Sequence, residues 1–434
     1  TIVGDKEKDM TVEEQYKVWN KVITENVFVL CKTKMAKYIT QRTLAGFSSI
    51  KCRARYQPHL IENMKDDPDW VVKKLKNPTN WEIEGEERMK FDAIVGNPPY
   101  QMSDGGAQAS ATPVYNLFVD VSKKLNANYI SMIMPSRWMT GGKGLDKFRD
   151  DMIHDKHFLV LHDYLNPKDC FNNVDIKGGV CYFLRDKNTE SRCKIYSHTT
   201  EGLYESTRYL AEENDDIFIR DNRLLQIKNS VFAIQTEMFD SIVSASKPYG
   251  LRAETMLKAS KYGLPDYSNE PYKNGYRILG LGEKQKRMWK YIPKDYPIPK
   301  RNIALNKYKV FIAEAYGCGA IGEVASTPVL STPGELCTET FLQIGPFETE
   351  IEANNCCKYI YTKFFRAMVG IQKQTQHTTQ KAYRFVPLQD FTDKSDIDWS
   401  KPVDKIDKQL YEKYNLTQEE IDFIEKTIKP MENQ

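Results

Sequence analysis

The sequence predicts an α/β protein, with a Rossmann-like, mostly parallel sheet in its first half followed by a mixed α+β region. Three observations lead there. Between about residues 90 and 190, short apolar runs alternate with stretches of helical periodicity, which implies strand–helix–strand units covered by helices. After about residue 190 the rhythm changes to short strands punctuated by tyrosine, proline and lysine, which suggests a separate domain. At 434 residues the chain is long enough for two or three domains, each with its own core.

The elements follow in order. A helix is expected through residues 11–24 and a short strand at Val27–Leu30, while charged Asp66–Glu87 looks like a linker or surface excursion. Phe91–Gly96 reads as a short buried strand, stopped by Asn97-Pro98-Pro99-Tyr100. A helix should begin with Thr112 as N-cap and Pro113 at its first position, keeping Val114, Leu117, Phe118, Val121 and Leu125 on one face. Tyr129–Met134 and His157–His162 are further strands, separated by a glycine-rich loop (Gly141, Gly142, Gly144) and a helix. Gly179–Leu184 and Cys193–Ser197 look like an antiparallel pair. Near the end, Glu350–Gly370 should be one helix with Ile360, Phe364, Phe365 and Met368 on one face, and Thr417 with Glu420 forms a capping box. The expected divisions are 1–90, an N-terminal segment; 91–190, the α/β region; 191–395, the mixed domain; and 396–434, a helical tail.

Composition excludes several classes. No apolar run approaches the ~18 residues of a membrane span, and neither end resembles a signal peptide. Nine scattered cysteines, an odd number without C-x-x-C, read as reduced thiols of a cytoplasmic protein. The six histidines lack metal-ligand spacing, so no metal is expected. The net charge of +3 is small, but residues 251–310 hold fourteen Lys/Arg against five Asp/Glu. That local +9 leaves −6 for the rest, a footprint suited to nucleic acid.

Asn97–Tyr100 is the most informative segment. In α/β sheets ligands bind beyond the carboxyl ends of strands, and this tetrapeptide follows one. Two prolines fix φ and remove amide donors, so the turn is stiff. Stiffness holds the Asn97 carboxamide and the carbonyl before it in constant directions, two acceptors suited to the hydrogens of an exocyclic amine. Tyr100 offers a flat face on which a planar base can stack.

Phe91-Asp-Ala-Ile-Val-Gly-Asn-Pro-Pro-Tyr-Gln101 resembles the catalytic motif of the S-adenosylmethionine-dependent amino methyltransferases. It is most similar to the adenine-specific (N6) DNA methyltransferases of type II restriction–modification systems, including fused restriction–methylation enzymes. Tyr129–Trp138, Gly141–Gly144, Val174–Phe183, Tyr361–Arg366, Phe385–Asp390 and Leu410–Tyr411 continue the resemblance in the family's order. It implies a methyltransferase sheet followed by a target-recognition domain, with S-adenosylmethionine as cofactor and double-stranded DNA as partner. It further implies methyl transfer to N6 of a flipped adenine, with Asn97 and the Pro98 carbonyl holding the amine. Pro99 would stiffen the turn, and Tyr100 would stack on the base. A second aromatic should press on the base from a later segment, with Phe218 and Phe183 as candidates.

One departure from the family stands out. Residues 1–90 contain no G-x-G, whereas comparable members have a glycine-rich cofactor loop upstream of the catalytic motif. The expectation is a sheet incomplete at its N-terminal side and little or no cofactor binding by the chain alone. Asp5 is a candidate for the cofactor ribose, and Gly317–Gly322 fits G-x-G-x-x-G without a clean helix after it.

Around Lys284-Gln-Lys-Arg-Met-Trp-Lys290, cations interleave with aromatics, so Lys284, Lys286 and Arg287 are expected on DNA phosphates. Gln372–Arg384, with Lys373, Lys381 and Arg384, is rich in groups that read base edges. No P-D…E-x-K nuclease pattern has the right spacing, so any nuclease would lie upstream of Thr1 or on another subunit. The competing readings are a non-catalytic specificity fragment, and methylation of RNA or of a glutamine side chain, which the same motif also serves.

Overall fold

The computed structural model describes residues 10–46, 48–102, 112–140, 144–171, 176, 178–199, 202–211, 215–317, 323, 325–373 and 377–431. The chain divides into two compact units, Thr1–Ile217 and Phe218–Gln434.

The first unit opens with helix α1 (Val12–Glu25), whose N-cap Thr11 and Glu14 exchange the two hydrogen bonds of a capping box. Strand β1 (Phe28–Cys31) pairs in parallel with β2 (Arg53–Tyr56) across helix α2 (Lys34–Ala45). Helices α3 (Leu60–Asp66) and α4 (Pro68–Leu75) follow. The expected linker over Asp66–Glu87 is therefore corrected. Val71, Leu75 and Trp81 in that stretch join Leu60, Met64 and Met89 in one core with Val121 and Leu125, and a segment that buries so much apolar area is structural.

The principal sheet of this unit contains β3 (Ala93–Gly96), β6 (Tyr129–Pro135), β7 (Phe158–Tyr164), β8 (Val180–Asp186), β9 (Cys193–Thr199) and β10 (Gly202–Arg208). A short pair, β4 (Gln101–Met102) with β5 (Thr112–Pro113), lies outside it. Spatial order is β10-β9-β7-β8-β6-β3. β3 runs parallel to β6 and β7 to β9, but β8 lies antiparallel between β6 and β7. The sheet is thus mixed rather than mostly parallel. β8 and β9 are not partners of each other, as their closeness in sequence had suggested. β8 instead fills the slot between two strands on which it can complete ladders on both sides.

Alternate residues set the two faces. Met132, Phe183, Leu161 and Ile195 lie in register and are buried. Ile133, Tyr182, His162 and Tyr196 form the adjacent row and are only half-buried, with His162 stacked between the two tyrosines at ring separations of 4.5 and 4.4 Å. Helices α5 (Tyr115–Leu125) and α6 (Asp146–Ile153) complete the unit. Thr112 and Pro113 are in β5 rather than at the start of α5, whose N-cap is Val114, because Thr112 and Pro113 pair with Gln101 and Met102. β9 and β10 belong to this sheet, so the division expected at residue 190 falls two strands too early.

The second unit holds α7 (Asn222–Ile234), a short α8 (Thr255–Lys258) and two three-stranded sheets. In one, β11 (Gly275–Leu281) lies between antiparallel β12 (Arg287–Pro293) and parallel β15 (Glu335–Cys337). In the other, β13 (Tyr308–Ala313) lies between β14 (Val329–Ser331) and β16 (Phe341–Phe347). The expected helix over Glu350–Gly370 is two helices, α9 (Glu350–Tyr361) and α10 (Lys363–Gln372). Thr362 breaks it by turning extended, and its hydroxyl accepts from the Phe365 amide at 3.1 Å to cap α10. Helices α11 (Val403–Lys413) and α12 (Gln418–Thr427) pack on this group, with Phe364 stacked on Tyr414 at 5.2 Å, so residues 396–434 are part of the unit rather than a tail. The Thr417–Glu420 capping box is present. Among the described residues no helix is long and apolar enough to cross a membrane, and no group of three metal-ligating side chains occurs.

Asp155 ties the first unit together. Its carboxylate, 8% exposed, accepts from Lys123 of α5 at 2.7 Å, Arg185 of β8 at 2.8 Å and His157 at 2.8 Å. Burial alone would raise its pKa, but the Arg185 hydrogen bond and the Lys123 charge outweigh it and hold the carboxyl well below the usual range. A depressed folded value means that this stabilisation is complete above the unfolded pKa of about 4 and is lost as pH falls towards the folded value. Urea unfolding should therefore show Asp155→Asn losing about 3 kcal/mol at neutral pH, with a flatter decline in acid than the wild type. Parallel pH profiles for the two proteins would contradict this.

Candidate functional site

β3 has only four residues, and the backbone before it is anchored to its neighbour. The Asp92 carbonyl accepts from the Tyr129 amide at 2.8 Å, and the Asp92 carboxylate accepts from Asn128 at 3.2 Å. Parallel register, Ala93 opposite Tyr129 through Gly96 opposite Met132, brings the carboxyl ends of β3 and β6 to the same rim of the sheet. Asn97–Tyr100 leaves from that rim.

Within the turn, Asn97 is exposed, Pro98 is buried, and Pro99 and Tyr100 are half-buried. The far end is also held: the Tyr100 carbonyl accepts from Val114 at 3.3 Å, and Gln101–Met102 pairs with Thr112–Pro113. The turn is thereby fixed at both ends with its one carboxamide turned to solvent. The Tyr100 hydroxyl is buried and has no hydrogen-bond partner among the described residues. Burial, with the Cys170 and Cys181 thiols nearby, pushes its pKa up to about 12, so it stays neutral. Next along the rim, Ser136 donates to Asp163 at 2.7 Å, its amide donates to the Gly179 carbonyl at 3.0 Å, and Trp138 donates to the Cys181 sulfur at 3.5 Å. Pro135, Ser136 and Trp138, at the end of a stretch singled out in the sequence, are thus buried at the carboxyl end of β6.

The other expected residues are scattered. Phe183 is fully buried in β8, edge-on to Phe158 at 5.0 Å, and Phe218 is likewise fully buried. Neither has a free ring face for a base, so both are corrected to core aromatics. Lys373 is buried and ion-paired with Glu323, and it also donates to the Tyr316 carbonyl at 3.1 Å; it is a structural cation rather than a DNA contact. Arg384 is half-buried, donates to Gln372 at 3.1 Å and lies over the Phe385 ring, whereas Lys381 is exposed. Lys284 and Lys286 are exposed where β11 turns into β12, and Arg287 beside them donates to Ser326 at 2.7 Å. Asp5, Gly141, Gly142 and residues 318–322 of the Gly317–Gly322 segment lie outside the described residues.

Sequence reasoning missed the β4–β5 clamp on the Asn97–Tyr100 turn, since two-residue strands have no periodicity to detect. It also passed over Gln285, which stands between the two exposed lysines.

Several known proteins are similar to this chain. An "Uncharacterized adenine-specific methylase" of Mycoplasma pneumoniae (strain ATCC 29342 / M129 / Subtype 1) is 36% identical over 110 residues, 25% of this chain and 26% of that protein. The matching stretch thus spans about a quarter of the curated relative. Among solved structures, the type IIG restriction endonuclease BpuSI is similar over 96% of this chain and 66% of its own, at 11% identity and a TM-score of 0.34. The Type IIL restriction-modification enzyme MmeI in complex with DNA is similar over 90% of this chain and 62% of its own, at 9% identity and a TM-score of 0.44. Residues 25–171, which include β3, β6 and the whole Asn97–Tyr100 turn, match the family described as Eco57I restriction-modification methylase.

Proposed function

We propose that this chain provides the base-binding and target-recognition parts of a restriction–modification enzyme that methylates adenine N6 in double-stranded DNA. The supporting observation is the Asn-Pro-Pro-Tyr turn, clamped at the carboxyl end of β3 inside the stretch that matches a methylase family. The methyl donor of this chemistry is S-adenosylmethionine. Among the described residues, however, no glycine-rich turn joins a strand to a helix N-terminus, so they do not fit a cofactor cradle. Calorimetric titration of the chain with S-adenosylmethionine should give no micromolar binding, and micromolar affinity would show that the cradle is present.

The chain's own residues act on the amine. The lone pair of an adenine amine is delocalised into the ring, which makes its nitrogen a poor nucleophile. The Asn97 carboxamide oxygen and the Pro98 carbonyl can accept its two hydrogens and favour a more tetrahedral nitrogen as charge develops. That help is greatest in the transition state, so it should appear in the rate rather than in binding. In the complete enzyme, Asn97→Ala should slow single-turnover methylation on the order of 10²–10³-fold while duplex affinity is retained. A wild-type rate would reduce the turn to a structural element.

Tyr100 contributes its ring rather than its hydroxyl. Its buried, unpartnered oxygen costs about 1–3 kcal/mol of desolvation. Tyr100→Phe should therefore keep most methylation activity and raise the unfolding midpoint, whereas Tyr100→Ala should lose the stacked base. A lower midpoint and lost activity in Tyr100→Phe would assign the hydroxyl a role.

A further inference from the structure

The β11–β12 hairpin ends in a turn that its residues are poorly suited to form. Lys284 has φ 56° and ψ 27°, and Gln285 has φ 59°, so two consecutive non-glycine side chains occupy the left-handed region. The Lys286 amide donates to the Glu283 carbonyl at 3.4 Å and the Gly282 amide to the Lys286 carbonyl at 2.9 Å, closing a tight two-residue reversal. Turns of this hand favour Asn-Gly or Asp-Gly, because Lys and Gln in these conformations cost on the order of 1 kcal/mol or more each. The stem below is firmly packed. A Cβ on Gly280 would lie 2.3 Å from Met256, and one on Gly282 would lie 2.2 Å from the Met288 sulfur, so a side chain at either position would force these methionines to shift. Arg277 stacks over Trp289 at 4.2 Å on the stem. β15 pairs only with Arg277–Leu279, so beyond Leu279 β11 pairs with β12 alone, while Leu281 and Met288 stay packed on the core beneath the tip. Residues 283–287 at its end are all exposed.

A rigid two-stranded ribbon with a strained, solvent-facing tip has no stability reason to hold Lys and Gln there. We infer that Lys284 and Gln285 are specificity-determining residues that enter the DNA major groove and read base edges, Lys284 a guanine and Gln285 an adenine. Lys286, exposed at the base of the tip, holds a flanking phosphate, whereas the Arg287 guanidinium is held by Ser326 and the Phe341 ring. The major groove admits a two-stranded β-ribbon, Lys suits the guanine O6 and N7 acceptors, and a Gln amide can pair bidentately with adenine N6 and N7. Both side chains are exposed at adjacent positions of the turn, as a pair of contacts to neighbouring bases requires. This inference rests on the DNA reading above and deepens it, because phosphate contacts alone carry no sequence information.

The test replaces the pair with the residues the turn favours, Lys284→Asn with Gln285→Gly, alongside Gln285→Gly alone. Full-length wild type and variants are each used to select duplexes from a library with a randomised central region, and affinity for the wild-type consensus is compared with that for an unrelated duplex. Both variants should keep or raise the unfolding midpoint, since strain is relieved. The double variant should lose one or two specified positions from its consensus and bind the wild-type consensus about 10–100-fold more weakly, with a much smaller change on the unrelated duplex. Lys286→Ala should instead weaken both duplexes alike and flatten the salt dependence. A double variant that selects the same consensus with the same affinity overturns the inference while leaving the DNA reading intact. A wild-type protein that enriches no sequence and binds no duplex overturns both.

Discussion

The parallel pairing of β3 on β6 is the interaction on which the candidate site depends. Only four residues pair, yet their register sets the height at which the chain leaves the sheet, and a shift of one residue would turn the following asparagine towards the opposite face. Asp92 secures that register with a main-chain bond and a side-chain bond on either side of the same corner. Everything after Gly96 inherits its direction from this short ladder. The prolines keep that direction, because neither can rotate about φ and neither offers an amide that might pair elsewhere.

The rest of the first unit supports this rim. Helix α5 begins directly after the β4–β5 clamp and buries Val121 and Leu125 against α3, α4 and Trp81, so the segment after the turn is held by a core that reaches back to residue 60. Asp155 adds a second brace, joining α5 to β8 through a carboxylate that its partners keep ionised. Insertion of β8 between β6 and β7 places Cys181 near the Tyr100 hydroxyl, and Gly179 just before β8 accepts from the Ser136 amide, so part of the surroundings of the turn comes from a strand far along the chain.

The second unit contrasts a rigid stem with a strained tip. Its charged residues separate into two physical kinds: Lys373 is buried on Glu323 and stabilises the fold, while Lys284 and Lys286 stay in solvent at the end of a hairpin. The sequence marks both kinds as candidates for DNA, in two separate segments, although only the second kind keeps its charge available to a partner. The stretches Tyr361–Arg366 and Leu410–Tyr411, which look like signature segments, pack into a helical core, with the Asp407 carboxylate accepting from the amides of Lys363 and Phe364 at the start of α10.

What the sequence determined by itself was local. The Asn97–Tyr100 turn, the Thr417–Glu420 capping box and the strands at Tyr129, His157 and Gly179 depend on residues adjacent in the chain, and their signals are fully contained in the sequence. Several features were decided only by tertiary structure. They are the antiparallel insertion of β8, the burial of Phe183, Phe218 and Lys373, the helices of the presumed linker, and the break at Thr362. Each depends on which distant partner satisfies a ladder, a charge or an apolar face. A phenylalanine on a strand reads the same whether its ring faces a core or a ligand, and a lysine reads the same whether its partner is Glu323 or water. The turn at Lys284–Gln285 belongs with these, since nothing in a Lys-Gln pair announces a left-handed backbone until the paired strands of the hairpin are in register.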